Sequence, residues 1–287
     1  MNEFGYASAM RIEFTKMHGM GNDFLVFEMP AGSALPDRTR WRHLADRHQG
    51  IGFDQALLLE PAREAGTATY YRIFNADGSE VEQCGNGARC VARYLQLRGR
   101  VGADGRVTLG SPSGVIEAQA RADGLVSVNL GVPDFNPAAL PFRASALEAS
   151  YSLQLGPEHV EFGAVSMGNP HAVLRVTDME SAPVERLGRA LQADAHFPAS
   201  VNVGFMQVID AGHIRLRVYE RGVGETLACG TGACAAVAVG RNLGLLGSEV
   251  AVHVPGGQLG VHWEGPGHGI WLTGPAAVAY TGQVELG

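Results

Sequence analysis

The chain has 287 residues, of which 46% are hydrophobic and 18% are charged, and its formal net charge is −7. This length and composition favour a globular protein of two domains, each large enough to bury its own core. The negative charge and the lack of a long basic run argue against a nucleic-acid partner. Because the first eight residues are acidic and no stretch is long and apolar enough to span a bilayer, we expect a cytoplasmic protein without a signal peptide or membrane partner.

The first half of the chain predicts strands and a helix that lead to a cysteine-bearing turn. An apolar alternation from Met10 is followed by a glycine-rich turn at residues 18–24 (HGMGNDF), in which the Asn22 amide can hydrogen-bond the local backbone. Residues 84–88 read CGNGA and run into a helical pattern, so Cys84 should stand at a helix entrance. A helix is predicted at residues 36–48, and strands at 53–60, 69–74, 107–109, 115–118 and 125–130.

The second half repeats this order after a proline-rich stretch at residues 133–141, which marks a predicted domain boundary. A strand breaks at residues 168–170 (GNP) before His171, and a lone histidine of this kind is most often structural. An alternating strand then delivers Glu220, and residues 229–233 read CGTGA and open an Ala/Val-rich helix. Further strands are predicted at residues 214–219, 249–254, 258–261, 269–272 and 276–280.

The two halves share one plan. Cys84 and Cys229 are 145 residues apart, and Cys-Gly-x-Gly-Ala precedes a helix in both places. A duplicated half is the economical explanation. The sequence therefore predicts an α+β fold of two pseudo-symmetric domains, each with antiparallel β-strands wrapped around a central helix.

The four cysteines do not fit a metal site. Cys84 precedes Cys90 by six positions and Cys229 precedes Cys234 by five, whereas zinc ligands are usually spaced as C-x₂₋₄-C. We expect no metal, and we place Cys90 and Cys234 in the cores as small apolar groups. The Cys-Gly-x-Gly segments are too short for a P-loop and lack its Gly-Lys-Ser/Thr, so no cofactor is predicted.

A cysteine at a helix entrance lies near unpaired backbone N–H groups and the positive end of the helix dipole, which lower the pKa of a thiol. Two such cysteines facing one cleft could invert a carbon centre, because a thiolate can remove a proton and a thiol can return one to the opposite face. The backbone N–H groups of Gly85 and Asn86, and of Gly230 and Thr231, would bind the α-carboxylate of an amino-acid substrate. Fixed donors there would stabilise the charge that develops in the transition state.

Five segments carry a family resemblance: residues 18–24 (HGMGNDF), 75–80 (NADGSE), 84–90 (CGNGARC), 168–171 (GNPH) and 220–232 (ERGVGETLACGTG). Together they closely resemble the diaminopimelate epimerase family. The resemblance implies a cofactor-independent isomerase that interconverts LL- and meso-diaminopimelate, a step toward lysine and, in bacteria that use it, peptidoglycan. It also implies a homodimer and two pseudo-symmetric domains, at residues 10–131 with the returning segment 275–287, and at residues 132–274.

The resemblance also implies roles for particular residues. Cys84 and Cys229 look like the acid/base pair, and His171 and Glu220 look like polar groups that support proton transfer. A zwitterion with two amino-acid ends needs amides and a carboxylate for its ammonium groups and an arginine for a carboxylate. The implied substrate ligands are Asn22, Gln55, Asn75, Asn169, Asn202, Glu220 and Arg221, together with the donors at Gly85, Asn86, Gly230 and Thr231.

Three other functions stay open at this point. A proline racemase or hydroxyproline epimerase has a similar fold and paired cysteines, but it typically carries a histidine in place of Asn86 and an aspartate in place of Glu220. A thiol redox protein would cycle Cys84 and Cys229 through a disulfide. A noncatalytic amino-acid binding protein would keep its function when both cysteines are replaced by serine.

Overall fold

The computed structural model describes residues 10–30, 32–81 and 85–286, so Cys84 lies outside the described residues. The chain divides into two compact units. The first unit holds the residues up to Val128 and those from Pro275 onward, and the second unit holds Asn129–Gly274. Within the described ranges, each helix is too short or too polar to cross a bilayer.

The first unit begins with strands and a capped helix. Its elements are β1 (Met10–Gly19), β2 (Asn22–Glu28), α1 (Arg38–Ala45), β3 (Gln55–Glu60), β4 (Thr69–Asn75), β5 (Glu80–Val81), α2 (Gly85–Leu97), β6 (Arg106–Ser111), β7 (Gly114–Ala120) and β8 (Leu125–Asn129). Helix α1 starts after Asp37, whose carboxylate accepts a hydrogen bond from the Arg40 backbone N–H at 2.8 Å. This is the N-cap arrangement that satisfies one of the unpaired N–H groups of a first helical turn.

The second unit has the same sequence of elements after a short 3₁₀ turn at Pro137–Ala139. Its elements are β9 (Tyr151–Leu155), β10 (Glu158–Ser166), β11 (Pro170–Arg175), α3 (Val184–Gln192), β12 (Asn202–Asp210), β13 (His213–Glu220), β14 (Gly224–Thr226), α4 (Gly230–Asn242), β15 (Glu249–Val254), β16 (Gly257–His262) and β17 (Trp271–Pro275). The chain then returns to the first unit as β18 (Ala277–Leu286).

Strand pairing is duplicated between the units. In the first unit β1 pairs with β2, β2 with β3, and β3 with β4; β4 also pairs with β5 and β6, and β6, β7 and β8 follow as a meander. The second unit repeats these pairings with β10 to β17 in the same order. The outer strand is β9 beside β10 in the second unit and β18 beside β1 in the first. The C-terminal strand therefore completes the first unit.

The predicted α+β architecture is confirmed, but the sheets are mixed rather than wholly antiparallel. Two pairs in each unit are parallel: β2 with β3 and β4 with β6, and β11 with β12 and β13 with β15. Parallel neighbours require a crossover connection, and the helices α1, α2, α3 and α4 provide it. The alternation of apolar residues along a strand does not report which neighbour it has, so these pairings were not predicted.

The helices α2 and α4 are the centres of the two units. Ala88, Val91 and Leu95 of α2 are buried, and the helix packs against β1, β2, β6 and β7. The opposite face of the strands is covered as well, because Trp41 of α1 stacks on Phe74 with ring centroids 5.2 Å apart. Burial on both faces explains the continuous apolar runs that the sequence shows in β2 and β3. The predicted core positions of Cys90 and Cys234 are confirmed, since both are fully buried.

Glycines form the sharp turns that follow β4 and β13. Gly78 has a φ of +80°, and a Cβ atom there would lie 2.5 Å from Cδ1 of Trp41. Gly222 and Gly224 have φ values of +76° and +98°. Side chains are strained in this region of backbone space, so glycine lets both hairpins fold back toward the helix entrance that follows.

Candidate active site

Predicted site residues of the second unit come together at one edge of its sheet. Strands β11 and β12 begin at this edge and β13 ends there. Parallel pairing of β11 with β12 sets His171 opposite Asn202. Antiparallel pairing of β12 with β13 sets Val203 opposite Tyr219, so Glu220 at the end of β13 lies beside Asn202. The turn before β11 and the start of α4 complete this half-site, which we define by Asn169, His171, Asn202, Glu220, Arg221, Cys229, Gly230 and Thr231.

A chain of polar contacts joins β11 to the entrance of α4. The Nε2 atom of His171 is 3.0 Å from Oδ1 of Asn169. The Asn169 amide donates to Oγ1 of Thr231 at 3.4 Å, and that hydroxyl lies 3.6 Å from the Sγ atom of Cys229. His171 and Cys229 are therefore linked through the side chains of Asn169 and Thr231.

His171 is fully buried, and its charge state follows from that. Burial, together with the nearby positive charge of Arg221, lowers the pKa of His171 to about 3. The imidazole is therefore neutral at physiological pH. Because Oδ1 of Asn169 can only accept, the neutral ring carries its proton on Nε2 and presents Nδ1 as an acceptor. Nδ1 is buried and has no hydrogen-bond partner among the described residues.

Cys229 occupies the N-cap position of α4, with an extended backbone at φ −118° and ψ 112°. The predicted lowering of its pKa by the helix entrance is wrong for this structure. Burial of the thiol, and then the negative charge of Glu220, raise the pKa of Cys229, although contacts with Thr231 and Gly232 oppose the shift. The resting form of Cys229 is therefore a thiol. The helix position was visible in the sequence, but the burial and the carboxylate depend on tertiary packing.

Both polar atoms of the Asn202 side chain make hydrogen bonds within the protein. Its Nδ2 atom donates to the Pro170 carbonyl at 3.0 Å, and its Oδ1 atom accepts from the Arg221 backbone N–H at 2.9 Å. The Arg221 guanidinium donates to the Ala199 carbonyl at 3.1 Å. These contacts fix the ends of β11, β12 and β13 relative to one another.

Glu220 has a partner that sequence reasoning missed. Oγ1 of Thr226 donates a hydrogen bond to Oε1 of Glu220 at 2.5 Å. Thr226 lies on β14, a three-residue strand that was not predicted. The only signal in the sequence was its position inside the ERGVGETLACGTG segment, six residues after Glu220.

The first unit arranges Gln55 and Asn75 at the matching strand ends. Gln55 begins β3 and pairs with Asn75 at the end of β4. Nε2 of Gln55 donates to Oδ1 of Asn75 at 3.1 Å, and Nδ2 of Asn75 donates to Oγ of Ser79 at 3.1 Å. Oε1 of Gln55 is buried and has no partner among the described residues. Asn22 begins β2, next to the strand that carries Gln55, and is half-buried.

The helix entrance of the first unit is described only in part. Helix α2 begins at Gly85, and Asn86 is buried with its Oδ1 atom accepting from Nη2 of Arg89 at 2.8 Å. Cys84, the predicted counterpart of Cys229, lies outside the described residues.

An ionic cluster next to Asn22 and Gln55 was also missed. The backbone N–H of Asp23 donates to the Asp54 carboxylate at 3.1 Å, and the N–H of Asp54 donates to the Asp23 carboxylate at 2.9 Å. Arg47 binds both carboxylates, and the buried Lys16 lies 2.7 Å from Asp23. Although burial opposes it, the contacts with Arg47 and Lys16 hold the pKa of Asp23 well below its usual range. The signal was present, because each acid is adjacent to a predicted ligand.

Within the described ranges, no group of three or more histidine, cysteine or acidic side chains is arranged to hold a metal ion. What the two half-sites offer instead is a buried thiol beside a carboxylate, neutral amides and a helix entrance. Such groups suit proton transfer and the binding of a zwitterion.

Comparison with solved structures defines the class of fold. A hydroxyproline epimerase from Agrobacterium vitis matches with a TM-score of 0.66 and 19% identity, covering 96% of this chain and 93% of that one. A PhzF-family protein of Bacillus anthracis, described as a phenazine biosynthesis protein, matches with a TM-score of 0.65 and 14% identity, covering 96% and 99%. The chain therefore has the two-unit fold that this epimerase and the PhzF family share.

Sequence comparison gives the family within that class. The diaminopimelate epimerase family model matches residues 14–136 and 163–279. A diaminopimelate epimerase of Chromobacterium violaceum is 51% identical over 277 residues, which are 96% of this chain and 100% of that protein. The chain belongs to the diaminopimelate epimerase family, so it is an isomerase.

Proposed function

We propose that this protein epimerises LL-diaminopimelate to meso-diaminopimelate by a two-base mechanism without a cofactor, as part of lysine and peptidoglycan precursor biosynthesis. The observation that carries the proposal is the half-site around Cys229. A buried thiol at a helix entrance lies beside Glu220 and is linked through Thr231 and Asn169 to His171. The first unit repeats the strands and helix that hold it.

The reaction needs one thiolate and one thiol. The thiolate of Cys84 removes the α-proton, the C–H electron pair stays on carbon, and its charge spreads into the α-carboxylate. The thiol of Cys229 then gives its proton to the opposite face, which leaves a thiolate on Cys229 and a thiol on Cys84. The reverse reaction exchanges the two roles. Burial raises the pKa of Cys229, and the charge of Glu220 adds to this, so that Cys229 stays protonated until the carbanion needs the proton.

The predicted ligands provide both charges that the substrate requires. Backbone N–H groups at the start of α2 and α4 are suited to the α-carboxylate, and they stabilise the charge that develops on it. Oε1 of Gln55, which has no partner in the described part of the chain, is suited to accept from a substrate ammonium group. Asn22, Asn75, Asn169, Asn202, Glu220 and Arg221 are the other side chains assigned to substrate, and Asn202 also accepts a hydrogen bond from the Arg221 backbone N–H.

The wider assignments follow from the family. We propose two epimerase domains, one at residues 10–131 with 275–287 and the other at residues 132–274. We also propose a cytoplasmic homodimer. Light scattering on the purified protein tests the dimer, and a mass of one 30.3 kDa chain would contradict it.

An imino-acid substrate is the second candidate, and the fold shared with a hydroxyproline epimerase favours testing it. Two residues argue against it. Asn86 and Glu220 stand where proline racemases and hydroxyproline epimerases typically carry histidine and aspartate. A redox protein is less well supported, because the buried Cys229 is held as a thiol.

The test is proton NMR of LL-diaminopimelate in D₂O with the reduced protein, run beside Cys84→Ala and Cys229→Ala. We expect inversion with deuterium appearing at the α-carbon, and loss of inversion in either variant. Cys234→Ala is the matched control, because Cys234 is buried in α4 away from the helix entrance.

Two outcomes would contradict the proposal. A substrate that keeps its α-proton and configuration rules out this reaction, and trans-4-hydroxy-L-proline and proline are then the next substrates to test. Full inversion by both single-cysteine variants rules out the two-base mechanism.

A further inference from the structure

Thr226 forms a short hydrogen bond with the Glu220 carboxylate, and this contact has no role in the proton transfers described above. Its hydroxyl donates to Oε1 of Glu220 at 2.5 Å, in a part-buried position next to the Cys229 half-site. A short hydrogen bond to an ionised oxygen is stronger than one between neutral groups. Thr226 is therefore placed to control the carboxylate that faces the thiol.

The hairpin of β13 and β14 explains this placement. Thr226 pairs with Val218, and Gly224 pairs with Glu220, so Thr226 and Glu220 are diagonal neighbours on one face. On the other face, Arg217 and Glu225 form two parallel hydrogen bonds, Nε to Oε1 at 2.6 Å and Nη2 to Oε2 at 2.9 Å. The ion pair fixes the hairpin, and the hairpin fixes the hydroxyl against the carboxylate.

We propose that Thr226 is a positioning residue that holds the Glu220 carboxylate beside the Cys229 thiol. This inference rests on the proposed epimerase function and adds a residue to it. One carboxylate oxygen is occupied by Thr226, so the side chain keeps a single orientation and part of its charge is shared with the hydroxyl proton. The thiol therefore lies beside a carboxylate of fixed position.

Among the described residues, Cys229, Arg221 and His171 are the titratable or charged side chains of the half-site around Glu220. Cys229 faces it from α4, Arg221 follows it on the chain, and His171 lies on β11 two strands away. His171 stays neutral because burial, and then the charge of Arg221, lower its pKa to about 3. Glu225 is on the opposite face and is neutralised by Arg217. Among these groups, Glu220 is therefore the one whose charge acts on the Cys229 thiol.

The first unit supplies a comparable case in which the strand end carries the Asn75 amide instead of a carboxylate. Oγ of Ser79 accepts from Nδ2 of Asn75 at 3.1 Å, and it donates to Asp77 at 2.6 Å. Ser79 thus holds a neutral amide at the strand end that matches Glu220. Removing this hydroxyl should disturb the orientation of an amide without altering the environment of Cys229.

The test uses Thr226→Val and Thr226→Ala, with Thr226→Ser as the conservative variant. The first readout is the pH dependence of iodoacetamide labelling at Cys229, followed by peptide mass spectrometry. Without the hydroxyl, the carboxylate binds the thiol proton more strongly, so the labelling midpoint should rise by about 0.5 to 1 pH unit. Thr226→Ser should return the midpoint to the wild-type value.

The second readout is steady-state kinetics with LL-diaminopimelate. We expect kcat to fall by roughly tenfold in Thr226→Val and Thr226→Ala, because a misplaced proton-transfer group loses part of its contribution. KM should change by less than about twofold, since the lost contact acts on the thiol rather than on substrate binding. Thr226→Ser should recover most of kcat.

Ser79→Ala is the control, and its Cys229 labelling profile should match that of the wild type. An unchanged profile in both Thr226→Val and Thr226→Ala, or an equal shift in Ser79→Ala, would overturn the proposal. The labelling arm needs no substrate. A wild-type protein that fails to invert diaminopimelate would therefore refute the proposed function, while the labelling shift still decides the role of Thr226.

Discussion

The two half-sites are held by the same arrangement of strands and helix but differ in the charge of their side chains. The strand that leads to the cysteine ends with Asn75 in the first unit and with Glu220 in the second. Both hairpins that follow are braced by a bidentate ion pair, Arg72 with Glu80 at 2.7 Å and Arg217 with Glu225 at 2.6 and 2.9 Å. The same backbone therefore presents a neutral amide in one unit and a carboxylate in the other.

Each hairpin carries a hydroxyl that bonds the side chain at the strand end, as an acceptor in the first unit and as a donor in the second. Ser79 accepts from the Asn75 amide, whereas Thr226 donates to the Glu220 carboxylate. The duplicated strands and hairpins can thus keep their backbone geometry while a carboxylate, Glu220, in place of the amide of Asn75 adds a negative charge near Cys229. In the second unit, burial, and then the charge of Glu220, raise the pKa of Cys229 and hold it as a thiol.

The strand starts are stabilised differently as well. Asp23 and Asp54 bind each other's backbone in the first unit, with Arg47 and Lys16 around them. The second unit has Pro170 and Val201 at the equivalent places, and its strand ends are joined by the Asn202 amide instead. Ionic contacts in one unit therefore replace apolar packing and an amide in the other.

The largest expected effect comes from making the second unit resemble the first. Glu220→Gln removes the negative charge that raises the pKa of Cys229, so the labelling profile of Cys229 should move to lower pH. We expect kcat to fall by roughly 100-fold, because the group that governs proton transfer at this thiol is lost. Glu225→Gln is the control on the opposite face of the hairpin, and an equal loss there would point to a structural cause.

Asp23→Asn should have the next largest effect and should lower the stability of the folded protein. It leaves the buried Lys16 without its carboxylate partner. We expect the free energy of unfolding to fall by about 3 kcal/mol. Urea denaturation at pH 7 measures this. Asp123→Asn breaks a pair whose side chains are both about half exposed, Arg121 and Asp123, and should have little effect. Equal losses in the two variants would mean that Lys16 does not depend on Asp23.

His171 should give the protein a pH-dependent stability. Its pKa in the folded state is about 3 against a reference value of 6.5, so the unfolded chain takes up the proton first as pH falls. The stabilisation is complete above the reference value and is lost toward pH 3, with a slope of up to about 1.4 kcal/mol per pH unit from this group. His171→Gln should flatten the dependence measured by urea unfolding between pH 7 and pH 5. The same slope in variant and wild type would contradict the assignment.

The smallest effects should come from the two ion pairs that brace the hairpins. Arg72→Met and Arg217→Met should each lower the free energy of unfolding by about 1 kcal/mol, since these pairs are bidentate but partly exposed. Arg121→Met at an exposed pair is the control. If the two losses of unfolding free energy differ severalfold, the two hairpins are not stabilised equivalently.

The sequence by itself determined the duplicated plan, the positions of the cysteines and the α+β class. Cys229 at a helix entrance, and the core positions of Cys90 and Cys234, could be predicted because glycine turns and helical periodicity are local patterns. The family motifs identified the candidate ligands, which the structure brings to the strand ends of each unit. Cys84 stays a prediction, because it lies outside the described residues.

The tertiary structure decided what those residues can do. The parallel pairing that sets His171 beside Asn202 joins strands 31 residues apart in sequence, and no local pattern encodes it. The raised pKa of Cys229 and the lowered pKa of His171 both arise from burial, which is supplied by distant elements that close over them. Thr226 reaches Glu220 only because a short strand folds back, and Lys16 meets Asp23 only because β1 pairs with β2. Local sequence patterns predict where the site residues lie along the chain, whereas long-range packing determines their contacts and their protonation states.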